Sequence, residues 1–510
     1  MHDIVIVGGG SAGCLLANRL SADGQRSVLL IEAGADYRDF DRAPDALRLA
    51  VGGVAVTEHL DELDWGYTAS GSVAGGRIDV PRGRVLGGSG AINGCIWLRG
   101  LPEDFARWSD MVGQGWGWEH ILPAYRAIES DAAGSEADHG RQGPFPIFRF
   151  PPDSWAVTQA AFHAACEELG YGTTEDENSP HSMGAGQLPL NQLDGLRWGP
   201  ARVLLSDEVR ARPNLMIMAE TRALQLAFEG RRASGVLVVG PQGAARLEAG
   251  EIILSAGAVG SPHLLLLSGV GTRTELARHG IDLVADVPGV GLGVRDHPKT
   301  WIQWRLRDEV PGALDDPILQ LSARYTATDS DLRGDMMLYP NSIVAGADPG
   351  TRHSRIEAVN NLQLSAGTLG LRSADPHDQP AIDLALLSEP RDRDRLGDAI
   401  ERSLALARTP PLRELLGEVV LPGPAVADDG KALRDYVERT VMTGQHISSS
   451  CHMGNDADEL AVVGPDCRVR GVSHLRIIDG SIMPDSIRAN THATILAMAE
   501  LMAGRIIAGD

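Results

Sequence analysis

The chain has 510 residues and carries 46 Lys and Arg against 68 Asp and Glu, a net charge of −22. Such acidity excludes a general binder of nucleic acid or of anionic membrane, because both partners need a basic footprint. With 43% hydrophobic and 22% charged residues the chain is a globular protein too long for one ordinary core, so two domains or one large elaborated domain are expected.

In chain order, the first stretch, "DIVIVGGGSAGCLLANRLSADGQRSVLLIEAG", reads as strand, tight turn, helix, strand. Ile4 to Val7 form an apolar run of strand length, and Gly8, Gly10 and Gly13 spell GxGxxG. Gly8 allows the turn, Gly10 lets backbone approach a pyrophosphate, and Gly13 lets helix and strand pack closely. Ser11 and Ala12 open the helix, whose N-terminal N–H groups and partial positive charge suit phosphate. Cys14, Leu15, Leu16, Ala17 and Leu20 supply its apolar side. The second strand, Val28 to Ile31, ends in Glu32 and Ala33, and Glu32 stands nineteen residues beyond Gly13. A carboxylate there accepts hydrogen bonds from an adenosine ribose. The pattern predicts a bound dinucleotide and by itself leaves FAD and NAD both open.

Further on, residues 111 to 130 are expected to be helical, with Trp118, Ile121, Leu122 and Tyr125 near one face. Residues 139 to 150 are turn-rich and then strand-like, and residues 201 to 211 read as a helix. Four strands are expected at "LMIMAE", "RALQLAFE", "ASGVLVVG" and "EIILSAG". Residues 372 to 390 read as a proline-rich connection, followed by an amphipathic helix in "RDRDRLGDAIERSLALARTP". The apolar run "HLLLLSGVG" is too short to span a bilayer. The five cysteines (Cys14, Cys95, Cys166, Cys451 and Cys467) are scattered and form no CxxC pair. Reduced thiols are therefore expected, and with no basic leader before "DIVIVGGG" the expected location is cytoplasmic, with no integral membrane segment.

The segment "GQHISSSCHMG", residues 444 to 454, gathers His446, Cys451 and His452. Three chemistries suit such a cluster: metal ligation, a thiol nucleophile, or proton transfer. Metal is not expected, since a zinc site needs three or four ligands and the nearest additions, Cys467 and His474, stand alone. A nucleophilic Cys451 has no acyl-transfer motif to accompany it.

Four ordered blocks complete the reading: "GRVLGGSGAINGCIWLRG", "SAGAVGSPHLLLLSGVG", "HISSSCHMG" and "LRIIDGSIMPDSIRANTHATILAMAE". Together with the N-terminal fingerprint they resemble the glucose–methanol–choline (GMC) family of flavin oxidoreductases over the whole chain. Weaker likenesses point to its pyridoxine-oxidising and mycofactocin-associated branches. The resemblance implies an α/β fold: a Rossmann-like FAD-binding domain interleaved with a substrate domain built on an antiparallel sheet with flanking helices. The expected divisions are 1–145, 200–300 and 455–510 for FAD, and 146–199 and 301–454 for substrate.

The resemblance also implies the site. Trp65, Val85, Gly88, Asn93, Gly94, Ala223, Asp479, Gly480, Asn490 and Thr491 would join the fingerprint residues around FAD. Some members attach FAD through a histidine just before the asparagine matched by Asn93; Ile92 stands here, so noncovalent FAD is expected. His446 would be the general base for an alcohol substrate, and His492 would bind the alcohol oxygen. The implied reaction is oxidation of a small-molecule alcohol by hydride transfer to flavin N5, with oxygen or another redox acceptor taking the electrons. A hydroxynitrile lyase with non-redox flavin is the alternative. The chain departs from the family pattern at Ser449 and Ser450, where Gly-Thr is usual, and at His452, where arginine is usual. No catalytic role is carried over to His452.

Overall fold

A computed structural model describes residues 1–50, 60–314, 316–345 and 350–509. Three sheets organise them. The first has a parallel core in the order Leu215–Met218, Val28–Ile31, His2–Val7 and Gly243–Leu254, with Leu475–Ile477 on the far side. Gly243–Leu254 serves twice. Its second half pairs in the parallel core, and its first half closes an antiparallel meander with Arg232–Gly240 and Arg222–Glu229. Parallel strands covered on both faces read as continuous apolar runs, and the runs VLLI and IVIV are accordingly buried throughout. The helix Ser11–Leu20 buries Leu15, Leu16 and Leu20 completely and packs on the last helix, Thr491–Ala508.

The second sheet is antiparallel, in the order Leu416–Leu421, Pro298–Leu306, Arg352–Asn360, Met336–Ala345, Leu321–Tyr325 and Gly184–Gln187. The short strand Met442–Thr443 adds to Pro298–Lys299. Helices Val157–Glu168 and Pro390–Arg408 cover one face. Burial alternates along Pro298–Leu306, with Thr300, Ile302 and Trp304 on the covered side and Lys299, Trp301 and Gln303 half-buried on the other. That period of two gives the sheet one apolar face and one polar face.

The third sheet joins Leu292–Val294, Gly367–Gly370, Ala381–Leu386, Tyr67–Ser72 and Arg77–Val80. Its strands come from both sets of expected divisions, 1–145 and 200–300 on one side and 301–454 on the other. The stretch read as a proline-rich connection therefore contains a strand. Ile382, Leu384 and Leu386 are buried in strict alternation, a signal outweighed in the sequence by the flanking prolines.

Smaller corrections have local causes. The helix expected over 111–130 is present as the shorter Trp118–Ile128, and a separate helix, Pro102–Val112, precedes it. Gly113 and Gly115, at φ of 103° and 99°, turn the chain between them, conformations that L side chains resist. The helix expected over 201–211 is split into Pro200–Leu204 and Asp207–Arg210, the second capped by the Ser206 hydroxyl accepting from the Val209 N–H. The stretch 139–150 yields only the short strand Phe145–Ile147. The four strands expected between 215 and 254 are all present. Among the described residues no helix is long and apolar enough to cross a membrane.

Gly13 shows how tightly the first turn is built, since a Cβ there would lie 1.9 Å from the Gly8 carbonyl oxygen. Gly13→Ala should cost about 1–3 kcal/mol of stability and weaken binding of the expected dinucleotide, read together from thermal unfolding and from cofactor titration.

Candidate functional site

A cavity of about 1270 Å³, its open mouth included, lies at the C-terminal ends of the parallel strands, where open α/β sheets bind ligands. Gly8, Gly10, Ser11 and Ala12 line it from the first turn. The helix Ser11–Leu20 has Gly10 at its N-cap and no side-chain cap, so its first N–H groups remain available to a ligand. Opposite stands Gly88, whose added Cβ would meet the Gly10 Cα at 2.7 Å. The two backbones are in direct contact here, and a side chain at Gly88 would push them apart.

Glu32 ends the second strand and also lines the cavity, with Ala33 beside it. Its Oε2 accepts from Gly9 N–H and its Oε1 from Gly34 N–H, both at 2.8 Å. Burial pushes its carboxyl up to about 7 against those backbone bonds. Each oxygen keeps a lone pair for a ribose hydroxyl. Ala223 and Trp65 form the wall at this end, where Trp65 stacks on Tyr67 at 5.8 Å between centroids and Arg222 lies over its ring at 5.1 Å.

Asp479 and Gly480 line the middle. Asp479 accepts from Gly257 N–H (2.8 Å), the Ser261 hydroxyl (2.6 Å) and Ser481 N–H (2.8 Å). It thereby ties the N-terminus of helix Gly257–Leu267 to the last strand of the core. Burial raises its carboxyl above the usual range. Thr491 and Ile495, from the first turn of the last helix, close the other end with Gln445 and Ile447. The glycine turn, the open helix N-terminus and the carboxylate at a strand end fit a dinucleotide.

Other expected cofactor residues sit outside this cavity. Gly13 packs behind the turn. Val85 bridges to Ala35 and lines a separate cavity. Asn93 accepts from Arg197 Nη1 at 2.8 Å and from Cys95 N–H at 3.0 Å. Gly94 faces open space, with nothing but the Ile96 side chain near a built Cβ.

The histidines give the largest departure from expectation. His446 is held by three neighbours. Its Nδ1 lies 2.9 Å from Nδ1 of His297, its Nε2 lies 3.0 Å from Asn490 Nδ2, and its backbone N–H donates to Asp296 Oδ1 at 2.9 Å. Asn490 Oδ1 in turn accepts from the Tyr339 hydroxyl at 3.1 Å. His492, expected beside His446, instead sets its Nδ1 3.1 Å from Ser11 Oγ and stands edge-on to Trp97. The geometry is that of a helix start. Asn490 is the N-cap of Thr491–Ala508 and projects toward the antiparallel sheet, whereas His492, two residues on, turns into the core. Burial pushes the His492 imidazole down to about 4.

The hydrogen-bond pattern assigns the protons. The Asn490 amide nitrogen only donates, so Nε2 of His446 carries the lone pair and Nδ1 carries the hydrogen. His297 then accepts at Nδ1 and gives its other ring N–H to the Ile487 carbonyl. Burial pushes His297 down to about 3 and holds His446 well below 6.5, the latter helped by the nearby positive charges of Lys299 and Arg82. Both rings are neutral.

The segment 444–454 also explains its serines. Ser449 takes φ 65° and Gln445 takes φ 66°, the left-handed conformation that glycine would adopt at Ser449 more easily. The Ser450 hydroxyl donates to the Ala258 carbonyl at 2.6 Å, fastening the segment to helix Gly257–Leu267. His452 pairs with Asp458 at 3.0 Å, away from His446. Cys451 is fully buried, and burial holds its thiol far above the usual range. Metal-like spacing occurs elsewhere among the described residues, at Glu129, Asp131 and His139. There Arg99 and Arg149 already pair with the two carboxylates. His297 and Tyr339 were missed in the sequence. They lie 149 and 107 positions from His446, and nothing local marks them.

Comparison with known proteins agrees with this geometry. Family models described as GMC oxidoreductase match residues 2–299 and 363–499. An alcohol dehydrogenase [acceptor] of Pseudomonas putida is 32% identical, over 99% of this chain and 96% of the relative. An oxygen-dependent choline dehydrogenase of Vibrio vulnificus is 31% identical, over 99% and 94%. The crystal structure of pyridoxine 4-oxidase from Mesorbium loti superposes with a TM-score of 0.91 at 32% identity, covering 99% of each chain. The fold and its cavity define an FAD-dependent oxidoreductase. The chain belongs to the GMC oxidoreductase family.

Asp479→Ala would strand three donors around a buried site, at about 1–3 kcal/mol for each unsatisfied group. Flavin released on dilution, followed by fluorescence, should rise markedly, with a lower unfolding temperature.

Proposed function

We propose that this enzyme oxidises an alcohol to the carbonyl, with Nε2 of His446 taking the hydroxyl proton and Asn490 holding the oxygen. The hydrogen-bond chain from Tyr339 through Asn490 and His446 to His297 carries the reading. It leaves one buried, neutral ring nitrogen with its lone pair beside an amide donor. An alcohol oxygen that displaces this hydrogen bond would meet the ring nitrogen as base and the freed amide N–H as donor. Loss of the hydroxyl proton must accompany loss of the C–H hydride, and imidazole is suited to take it. Bound FAD supplies the hydride acceptor, and oxygen or another redox acceptor takes the electrons on.

The residues respond to the proton in a defined way. Once Nε2 is protonated, Nδ1–H still points at the His297 lone pair and that hydrogen bond strengthens, while the Asn490 amide N–H must turn from Nε2 to the substrate oxygen. Asp296, whose carboxyl burial pushes up to about 6, lies against the same backbone. His492 stays behind Ser11 and keeps the helix start in place. FAD is held noncovalently, because Ile92 offers no nucleophile. The parallel-sheet segments (1–145, 200–300, 455–510) are taken as the FAD domain and the remainder as the substrate domain. Strand membership supports that division outside the shared third sheet.

With His446→Ala, anaerobic bleaching of the flavin band by a panel of primary alcohols should slow by ~10²–10⁴ while FAD stays bound; bleaching at the wild-type rate would sink the proposal. Asn490→Ala should cost roughly ten-fold or more, the worth of one hydrogen bond to a charged or reacting group. The base must be neutral, and burial holds its pKa below 6.5. Wild-type bleaching should therefore stay level above pH 6.5 and fall only on the acid side, as seen in stopped-flow traces across pH. Acid precipitation should leave the yellow colour in the supernatant; a coloured pellet would mean a covalent bond.

A further inference from the structure

The polar face of the antiparallel sheet is the face that the catalytic pair touches. His297, just before strand Pro298–Leu306, reaches His446, and Tyr339 reaches Asn490. Residues two apart along a strand share a face, so Lys299 and Trp301 follow His297. Across the sheet Trp301 is opposite Glu357, and Glu357 is opposite Tyr339. On this face Lys299 lies 3.4 Å from Glu357, and Arg355 lies 2.6 Å from the other oxygen of the same carboxylate. Arg355 also rests over the Trp301 ring at 5.1 Å. Two cations share one anion, so the group has a formal charge of +1. Its side chains remain 22% exposed at Lys299 and 28% at Arg355, against 12% at Glu357. The two cations keep partial access to solvent, and the carboxylate is the member most hidden.

The surrounding charges do not cancel this excess. Half-buried Arg82 and buried Asp296 both act on the surroundings of His446 and offset each other. Arg324, on the neighbouring strand, faces Glu177, and its Nη1 donates to the Arg488 carbonyl at 2.6 Å. Arg324 is fully buried, and its Nε and Nη2 have no hydrogen-bond partner among the described residues. Arg488 is paired with Asp104 at 2.8 Å.

We propose that Lys299, with Arg355 behind the shared Glu357, forms a subsite that selects alcohols carrying an anionic group and rejects quaternary ammonium alcohols. It rests on the alcohol-oxidation reading only in placing the reacting hydroxyl at His446. Lys299 meets the distal group of the substrate, and Trp301 offers a flat apolar surface next to it. A cationic alcohol of the choline type would have to desolvate against a net positive wall.

Two measurements on the FAD-loaded enzyme test the subsite separately from the chemistry. In the first, benzoate, benzyl alcohol and benzyltrimethylammonium are titrated in and binding is read from the perturbed flavin absorbance. The expected order of affinity is benzoate, benzyl alcohol, benzyltrimethylammonium, with roughly ten-fold per unit of charge. Lys299→Met should shrink the gap between benzoate and benzyl alcohol to about two-fold, and Lys299→Arg should retain it. Flavin content and unfolding temperature confirm that both variants are folded. In the second, 4-(hydroxymethyl)benzoate, benzyl alcohol and their trimethylammonium counterpart are compared in anaerobic bleaching. Ranked binding without any bleaching would remove the alcohol-oxidation reading and leave the charge preference standing. Equal binding of the three probes, tighter binding of the cation, or no response of the ranking to Lys299→Met would overturn the subsite.

Discussion

The arrangement of the site depends on a buried chain of hydrogen bonds in which every donor and acceptor has one permitted direction. The Asn490 amide nitrogen only donates, so His446 must accept at Nε2 and donate at Nδ1, and His297 must accept. In a low-dielectric interior an unpaired group of this kind is costly. The chain therefore holds two sheets in register with each other. Tyr339 and His297 belong to the antiparallel side, and Asn490 starts the last helix of the nucleotide-binding side. Shifting either side would break a bond that no water can replace cheaply.

The cofactor cavity rests on a different constraint, the absence of side chains. Gly10 and Gly88 face each other with no Cβ between them, and Gly13 lies against Gly8. Asp479 and Glu32 sit in the walls with their oxygens already engaged by backbone N–H groups. These carboxylates organise the cavity as much as they line it. They hold a helix N-terminus and a glycine turn at fixed separation, so the walls are set before a ligand arrives, which is the usual advantage of preorganisation.

The nucleotide-binding half was legible in the sequence because its signals are local. A strand, a glycine turn, a helix and an acid at the next strand end all fall within thirty-five residues, and the structure uses each as its chemistry dictates. His446 was legible through its motif. Its partner was not, because motif spacing singled out a histidine while helix geometry decides direction. Asn490 at the N-cap faces His446, and His492 two positions later faces the core. His297 and Tyr339 could not be read at all, since they are brought in by sheet pairing across more than a hundred residues. The strand Ala381–Leu386 was hidden by neighbouring prolines although its alternation was present.

The third sheet has a consequence for traffic through the enzyme. Tyr67–Ser72 and Leu292–Val294, from one side of the fold, share a ladder with Gly367–Gly370 and Ala381–Leu386 from the other. Swinging the two halves apart like a clamshell would tear that ladder. Any opening that admits a ligand therefore has to form with that ladder intact. Any change in access would have to come from loops and side chains at the cavity mouth, with the ladder left intact.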